Sequence, residues 1–116
     1  MRWTHELQAP FSFGTGVQSA QFVQDALTVG NGKTGVVFVD VYAISGTGIL
    51  EIQTCSDVKT TVSGLSSWIG VGSATVGAIG TYRFAISELG DAIRWALTTA
   101  PTSVTLGVRV YLSDKT

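Results

Sequence analysis

Alternation with a period of two runs through the last third of this 116-residue chain and leaves little room for anything but β-strands. A strand sends successive side chains to opposite faces, so alternation marks a strand with one buried face. Tyr82, Phe84 and Ile86 alternate with Thr81, Arg83, Ala85 and Ser87. Ile93, Trp95 and Leu97 then alternate with Arg94, Ala96 and Thr98. Val104, Leu106, Val108, Val110 and Leu112 do the same with Thr105, Gly107, Arg109 and Tyr111. Between these runs lie Glu88-Leu89-Gly90-Asp91 and Ala100-Pro101-Thr102-Ser103, short enough for direct antiparallel connections. A three-stranded meander is therefore expected here.

The middle of the chain repeats the theme. Residues 36–44 are apolar at nearly every position, as in a central strand covered on both faces, and Asp40 is the exception that needs a partner group or solvent. Ser45-Gly46-Thr47-Gly48 supplies a turn, and residues 49–55 return with Leu50 and Ile52 inward. Residues 22–29 read as a further strand, closed by Gly30-Asn31-Gly32-Lys33-Thr34-Gly35, whose Asn-Gly step tolerates positive φ. Residues 56–64 are polar and read as a loop. Residues 68–71 and 74–79 read as two weak strands whose glycines mark bulges or close backbone approaches. Residues 87–94 could hold a single helical turn, and no long helix is expected.

Near the start, Trp3, His5 and Leu7 alternate weakly before Phe11 and Phe13, set among small residues. Residues 1–16 thus form either a first strand or an arm that contacts a neighbour, and residues 17–116 a single domain. The expected class is all-β: an antiparallel β-sandwich of seven to nine short strands, jelly-roll or immunoglobulin-like, since alternation does not set strand order.

Charge is scarce. Seven basic and eight acidic residues make 13% of the chain, against about 25% in ordinary domains. A free monomer so poor in charge has weak protection against self-association. The three Lys and four Arg are scattered and build no basic patch, so nucleic-acid binding is not expected. The longest apolar run, residues 36–39, is far too short to span a membrane as a helix, and Met1 to Glu6 does not lead into a secretory signal.

Reactive chemistry is thin. His5 is the single histidine and Cys55 the single cysteine, too few for a zinc site and without a nucleophile–base spacing. Cys55 reads as a small packing residue in a strand. The pairs Glu88/Asp91 and Glu51/Asp57 read as solvated turn residues, and the Gly-x-Gly steps do not continue into a phosphate-binding pattern. No catalytic residue, cofactor or metal is expected. Trp95 belongs to the core by its alternation, whereas Trp68 can cap the core, face a partner or stack on a ligand.

Ala43-Ile44-Ser45-Gly46-Thr47-Gly48-Ile49-Leu50-Glu51-Ile52-Gln53, then Trp68, Gly80-Thr81-Tyr82-Arg83, Leu89-Gly90 and Ile93-Arg94-Trp95 follow one another in an order that resembles small virion proteins of tailed bacteriophages. These are β-sandwich proteins of the decoration or cement type, and the likeness covers residues 36–112. Ser56-Asp57-Val58-Lys59 departs from it by lacking the Asp-Gly turn before the tryptophan. The resemblance implies a non-enzymatic subunit made in the host cytoplasm and bound to the outside of an assembled shell. Its partners would be the major capsid protein and copies of itself, as a dimer or trimer, with nucleic acid and membrane uninvolved. The expected contact residues are Arg2, Trp3, Phe11 and Phe13 in the N-terminal segment, with Trp68. A tail- or fibre-associated position is compatible with the same pattern, and a carbohydrate- or ligand-binding sandwich is the alternative outside virions.

Overall fold

Among the described residues, eight strands form in chain order: β1 (Arg2–Phe13), β2 (Leu27–Thr28), β3 (Lys33–Ser45), β4 (Gly48–Cys55), β5 (Ile69–Val76), β6 (Gly80–Ile86), β7 (Ala92–Thr99) and β8 (Ser103–Asp114). The structure, a computed structural model, describes residues 2–13, 26–30, 32–56 and 68–114, with residues 2–5, 13 and 114 described through their backbone. Two four-stranded antiparallel sheets result, one in the order β1-β8-β3-β6 and the other β2-β7-β4-β5. Each strand of the first half lies beside its mirror image in the second: β1 by β8, β2 by β7, β3 by β6, β4 by β5. That is a long hairpin rolled into two layers, the order of an eight-stranded jelly roll. It decides between the two sandwich topologies that the sequence left open.

The same order overturns the expected meander. β6 and β8 lie in one sheet and β7 in the other, so residues 87–91 and 100–102 cross between layers. Only the β4–β5 connection stays within a sheet. Residues 46–47 are likewise a crossover, eased by Gly46 at φ 88°. Other local expectations shift too. Residues 87–91 form no helical turn, and β5 is one strand with a register shift opposite Ile52 and Gln53. Of the expected strand at 22–29, Leu27–Thr28 is observed, and residues 14–25 lie outside the described residues, as does most of the expected loop at 56–64.

The core is the sum of the inward positions. Val37, Val39 and Val41 of β3 and Leu106, Val108, Val110 and Leu112 of β8 meet Leu50 and Ile52 of β4 and Ile93, Trp95 and Leu97 of β7. Each such side chain contributes about 1.5–3 kcal/mol by leaving water. β3 is not covered on both faces: Val36, Phe38 and Asp40 point outward, half-buried among side chains of their own sheet. Trp95 joins the two layers, because its Nε1 donates to Gln8 Oε1 of β1 at 2.9 Å. A register shift between Glu6 and Gln8 sets Gln8 opposite the inward-facing Val108.

The connections are pinned by polar groups rather than by length. Tyr82 Oη accepts from the backbone N–H of Gly77 (3.3 Å) and Ala78 (3.1 Å) and donates to the Ala78 carbonyl (3.0 Å). One phenol thereby holds the β5–β6 crossover, with Ile79 72% exposed at its tip. Tyr82→Phe is expected to lower stability by about 1 kcal/mol, since water replaces part of what an exposed hydroxyl loses. The Ala78 amide should then exchange faster with deuterium while core amides change only in step with global stability.

Candidate functional site

The outer face of the β1-β8-β3-β6 sheet concentrates the charged and aromatic side chains. Register builds it rung by rung. Glu6 of β1 lies opposite Arg109 of β8, Arg109 opposite Phe38 of β3, and Phe38 opposite Arg83 of β6. One rung away, Tyr111, Val36 and Ala85 are aligned in the same way, and on the other side Gly107, Asp40 and Thr81.

Arg109 is fully engaged. Its Nε donates to Asp40 Oδ2 at 2.9 Å, Nη2 to Oδ1 at 3.2 Å, and Nη1 reaches Tyr111 Oη at 3.4 Å. Thr81 Oγ1 donates to the same carboxylate at 2.9 Å. The guanidinium also lies 5.3 Å from the Phe38 ring, and Phe38 meets Tyr111 edge-on at 5.3 Å. The bond to Asp40 raises the Arg109 pKa from its ordinary value. An upward shift means that this contribution is complete at neutral pH and is lost only as pH climbs through the strongly alkaline range.

Arg83 is different. Among the described residues its side chain has no hydrogen bond or ion pair, and neither has that of Glu6 at the opposite edge of the sheet. Beside Arg83 lies an open groove of about 350 Å³ bounded by Val36, Phe38, Arg83 and Tyr111. It is partly apolar and carries a cation that no described residue neutralises.

The outer face of the second sheet is quieter. Arg94 of β7 stacks over the Trp68 ring at 4.6 Å and donates from Nε to Gln53 Oε1 at 2.8 Å. Gln53 Nε2 in turn donates to Glu51 Oε1 at 2.9 Å, so one amide links cation to anion. Partial burial lowers the Arg94 pKa, against a smaller upward pull from Cys55. Beyond this relay the exposed positions of that face include Ser73, Thr75 and Thr98.

The expected contact residues fall in two places. Arg2, Trp3, Phe11 and Phe13 all lie along β1, opposite Ser113, Leu112, Leu106 and Val104. Phe11 is 56% exposed, and the side chains of Arg2, Trp3 and Phe13 lie outside the described residues. Trp68 precedes β5 in the other sheet, half-buried, with Arg94 over its ring. The fold does not bring these two groups together. Sequence reading missed the rung of Glu6, Arg109, Phe38 and Arg83, although alternation already placed Arg83 on the face opposite Phe84. Cys55 is buried, and among the described residues no group of His, Cys, Asp and Glu could hold a metal ion.

No protein-family model matches the chain, and no curated protein matches it either.

Proposed function

We propose that this chain is a non-enzymatic structural subunit of a tailed-phage virion, of the capsid decoration or cement type. The observation that carries the reading is how the outer faces handle charge. Asp40 neutralises Arg109 and Gln53 relays Glu51 to Arg94; Glu6 and Arg83 stand unpaired among the described residues at the two edges of one face, and many of the other outward positions are small and neutral. Covering such a face strips few hydration shells, so little desolvation opposes contact with a protein shell. Phe11, Tyr42, Ile69 and Ile79 are exposed apolar side chains suited to such contacts. A jelly roll builds capsids, lectins and cupins alike, so the choice among these rests on the sequence resemblance, not on the fold.

The mechanism is mechanical. A small module that touches several neighbouring shell subunits raises its effective affinity without any strong single contact. Purified virions from the culture that expresses the chain, separated into heads and tails, provide the test. Quantitative mass spectrometry is expected to find the chain in heads, in a fixed ratio to the major capsid protein. Its presence in tails alone moves it to a tail or fibre position, and its absence from both fractions overturns the reading. Deleting residues 1–16 would not be a clean probe of the N-terminal contact, because β1 covers the edge of β8 and supplies buried Leu7. Phe11→Ser is cleaner: truncating an interface aromatic costs about 1–2 kcal/mol, so rebinding to stripped heads should weaken about tenfold.

A further inference from the structure

We propose that two copies of this chain pair through the outer face of the β1-β8-β3-β6 sheet, related by a two-fold axis. This goes beyond the shell-binding reading and stands without it. The argument starts from the rung Glu6–Arg109–Phe38–Arg83, in which an anion sits on one edge strand and a cation on the other. Neither has an ion-pair partner among the described residues, and Arg109, the arginine opposite Glu6, is already committed to Asp40.

A two-fold axis parallel to the strands, lying between the facing sheets and midway between β8 and β3, places β1 of one copy over β6 of the other. β8 then lies over β3. Because all four residues share one rung, the operation sets Glu6 over Arg83 twice, once at each edge. At the centre, Arg109 and Phe38 exchange places, so a neutralised guanidinium lies on the other copy's ring. An interface of this kind is self-complementary by construction, each contact occurring twice. The groove bounded by Val36, Phe38, Arg83 and Tyr111 gives the incoming Glu6 side chain its seat, with its methylenes on Val36 and Phe38 and its carboxylate at the Arg83 fork.

The face is large enough. Four strands about 4.8 Å apart and roughly ten residues long at about 3.3 Å each span roughly 600 Å² per copy. Two copies then bury roughly 1,200 Å², which clears the approximately 1,000 Å² that a specific interface needs.

The test uses the isolated full-length chain and no virion, so its outcome is separate from that of shell binding. Sedimentation velocity across a concentration series is expected to show a monomer–dimer equilibrium that weakens with added salt. Arg83→Glu places Glu6 against a second carboxylate at both edges, and Glu6→Lys places Arg83 against a second cation. Each variant alone should lose about tenfold or more in dimer affinity while keeping its far-UV circular dichroism. Mixed in equal amounts, the two should form a heterodimer of at least wild-type affinity, because both edges then carry opposite charges. Misfolding has no route to that rescue. A wild-type chain that stays monomeric overturns the proposal. So does a dimer indifferent to both reversals, or one that the mixture fails to restore.

Discussion

Trp95→Ala is expected to remove about 3–5 kcal/mol of stability, because it empties the largest fully buried side chain among the described residues. Trp95 is 1% exposed in β7, the strand between β2 and β4, opposite Ile52. Removing the indole opens a cavity between two sheets whose strands are held by their own ladders, so the walls cannot close in far. It also strands Gln8 Oε1, which accepts from the indole N–H across the gap between layers. A domain of this size has about 5–15 kcal/mol in all, so the variant should be partly unfolded under mild conditions. Urea unfolding followed by far-UV circular dichroism measures the loss without relying on the deleted fluorophore. Trp95→Phe separates the two components, since it fills most of the space and forfeits the hydrogen bond to Gln8, at a cost of about 1–3 kcal/mol. Gln8→Leu should cost a similar amount. The double variant should cost less than the two single losses added together, because one bond is removed only once. Full additivity would show that the inter-sheet bond contributes nothing.

Gln8 also shows why part of this fold was legible in the sequence and part was not. Alternation reports which side of a strand is wet, and for β4, β6, β7 and β8 it located both the strand and its buried face, whereas β3, apolar at nearly every position, read as covered on both faces and buries only one. It does not report the neighbouring strand. Residues 87–91 and 100–102 have the length of hairpin loops and serve as crossovers, because the two layers of a sandwich are about as far apart as a short loop can reach. β1 was half-visible for another reason. Register shifts between Glu6 and Gln8, and between Gln8 and Phe11, switch the facing of its side chains twice within twelve residues. A bulged strand loses its period-two signature just where it pairs well.

The candidate site failed to appear in the sequence for the same reason. Glu6, Phe38, Arg83 and Arg109 each sit on a strand edge or face that alternation assigns, yet their meeting on one rung depends on four strands from distant parts of the chain. Charge scarcity gave the indirect clue: with so few charges, each one unpaired on a flat face carries weight. Asp40 illustrates the point, since the one acid in an apolar run proved to be the partner of Arg109, 69 residues away.

Gly90→Ala is the second large expected effect, about 3 kcal/mol, and its origin is closeness rather than backbone freedom. The connection of residues 87–91 closes one end of the sandwich. Gly90 N donates to Thr54 Oγ1 at 2.8 Å, Asp91 N to the Cys55 carbonyl at 2.8 Å, and Leu89 N to the Lys33 carbonyl at 3.1 Å. In return the Asp91 carbonyl accepts from Val29 and Gly30, and the Leu89 carbonyl from Gly32. A Cβ on Gly90 would overlap the Cys55 carbonyl, which is backbone held by the β4–β7 ladder and cannot step aside. The 87–91 segment must therefore lift, stretching bonds to β4 and the β2–β3 connection together and loosening Leu89, which is 2% exposed. Gly32→Ala is the contrast. Gly32 has φ 82° and nothing within 4 Å of an added Cβ, so its cost is only the left-handed backbone, about 1 kcal/mol. Urea midpoints should rank wild type above Gly32→Ala and Gly32→Ala well above Gly90→Ala. Hydrogen exchange should show the Asp91 and Leu89 amides losing protection in Gly90→Ala beyond its global destabilisation. Equal losses in the two variants would mean that the segment yields freely, and that this end of the sandwich is not fastened as its hydrogen bonds imply.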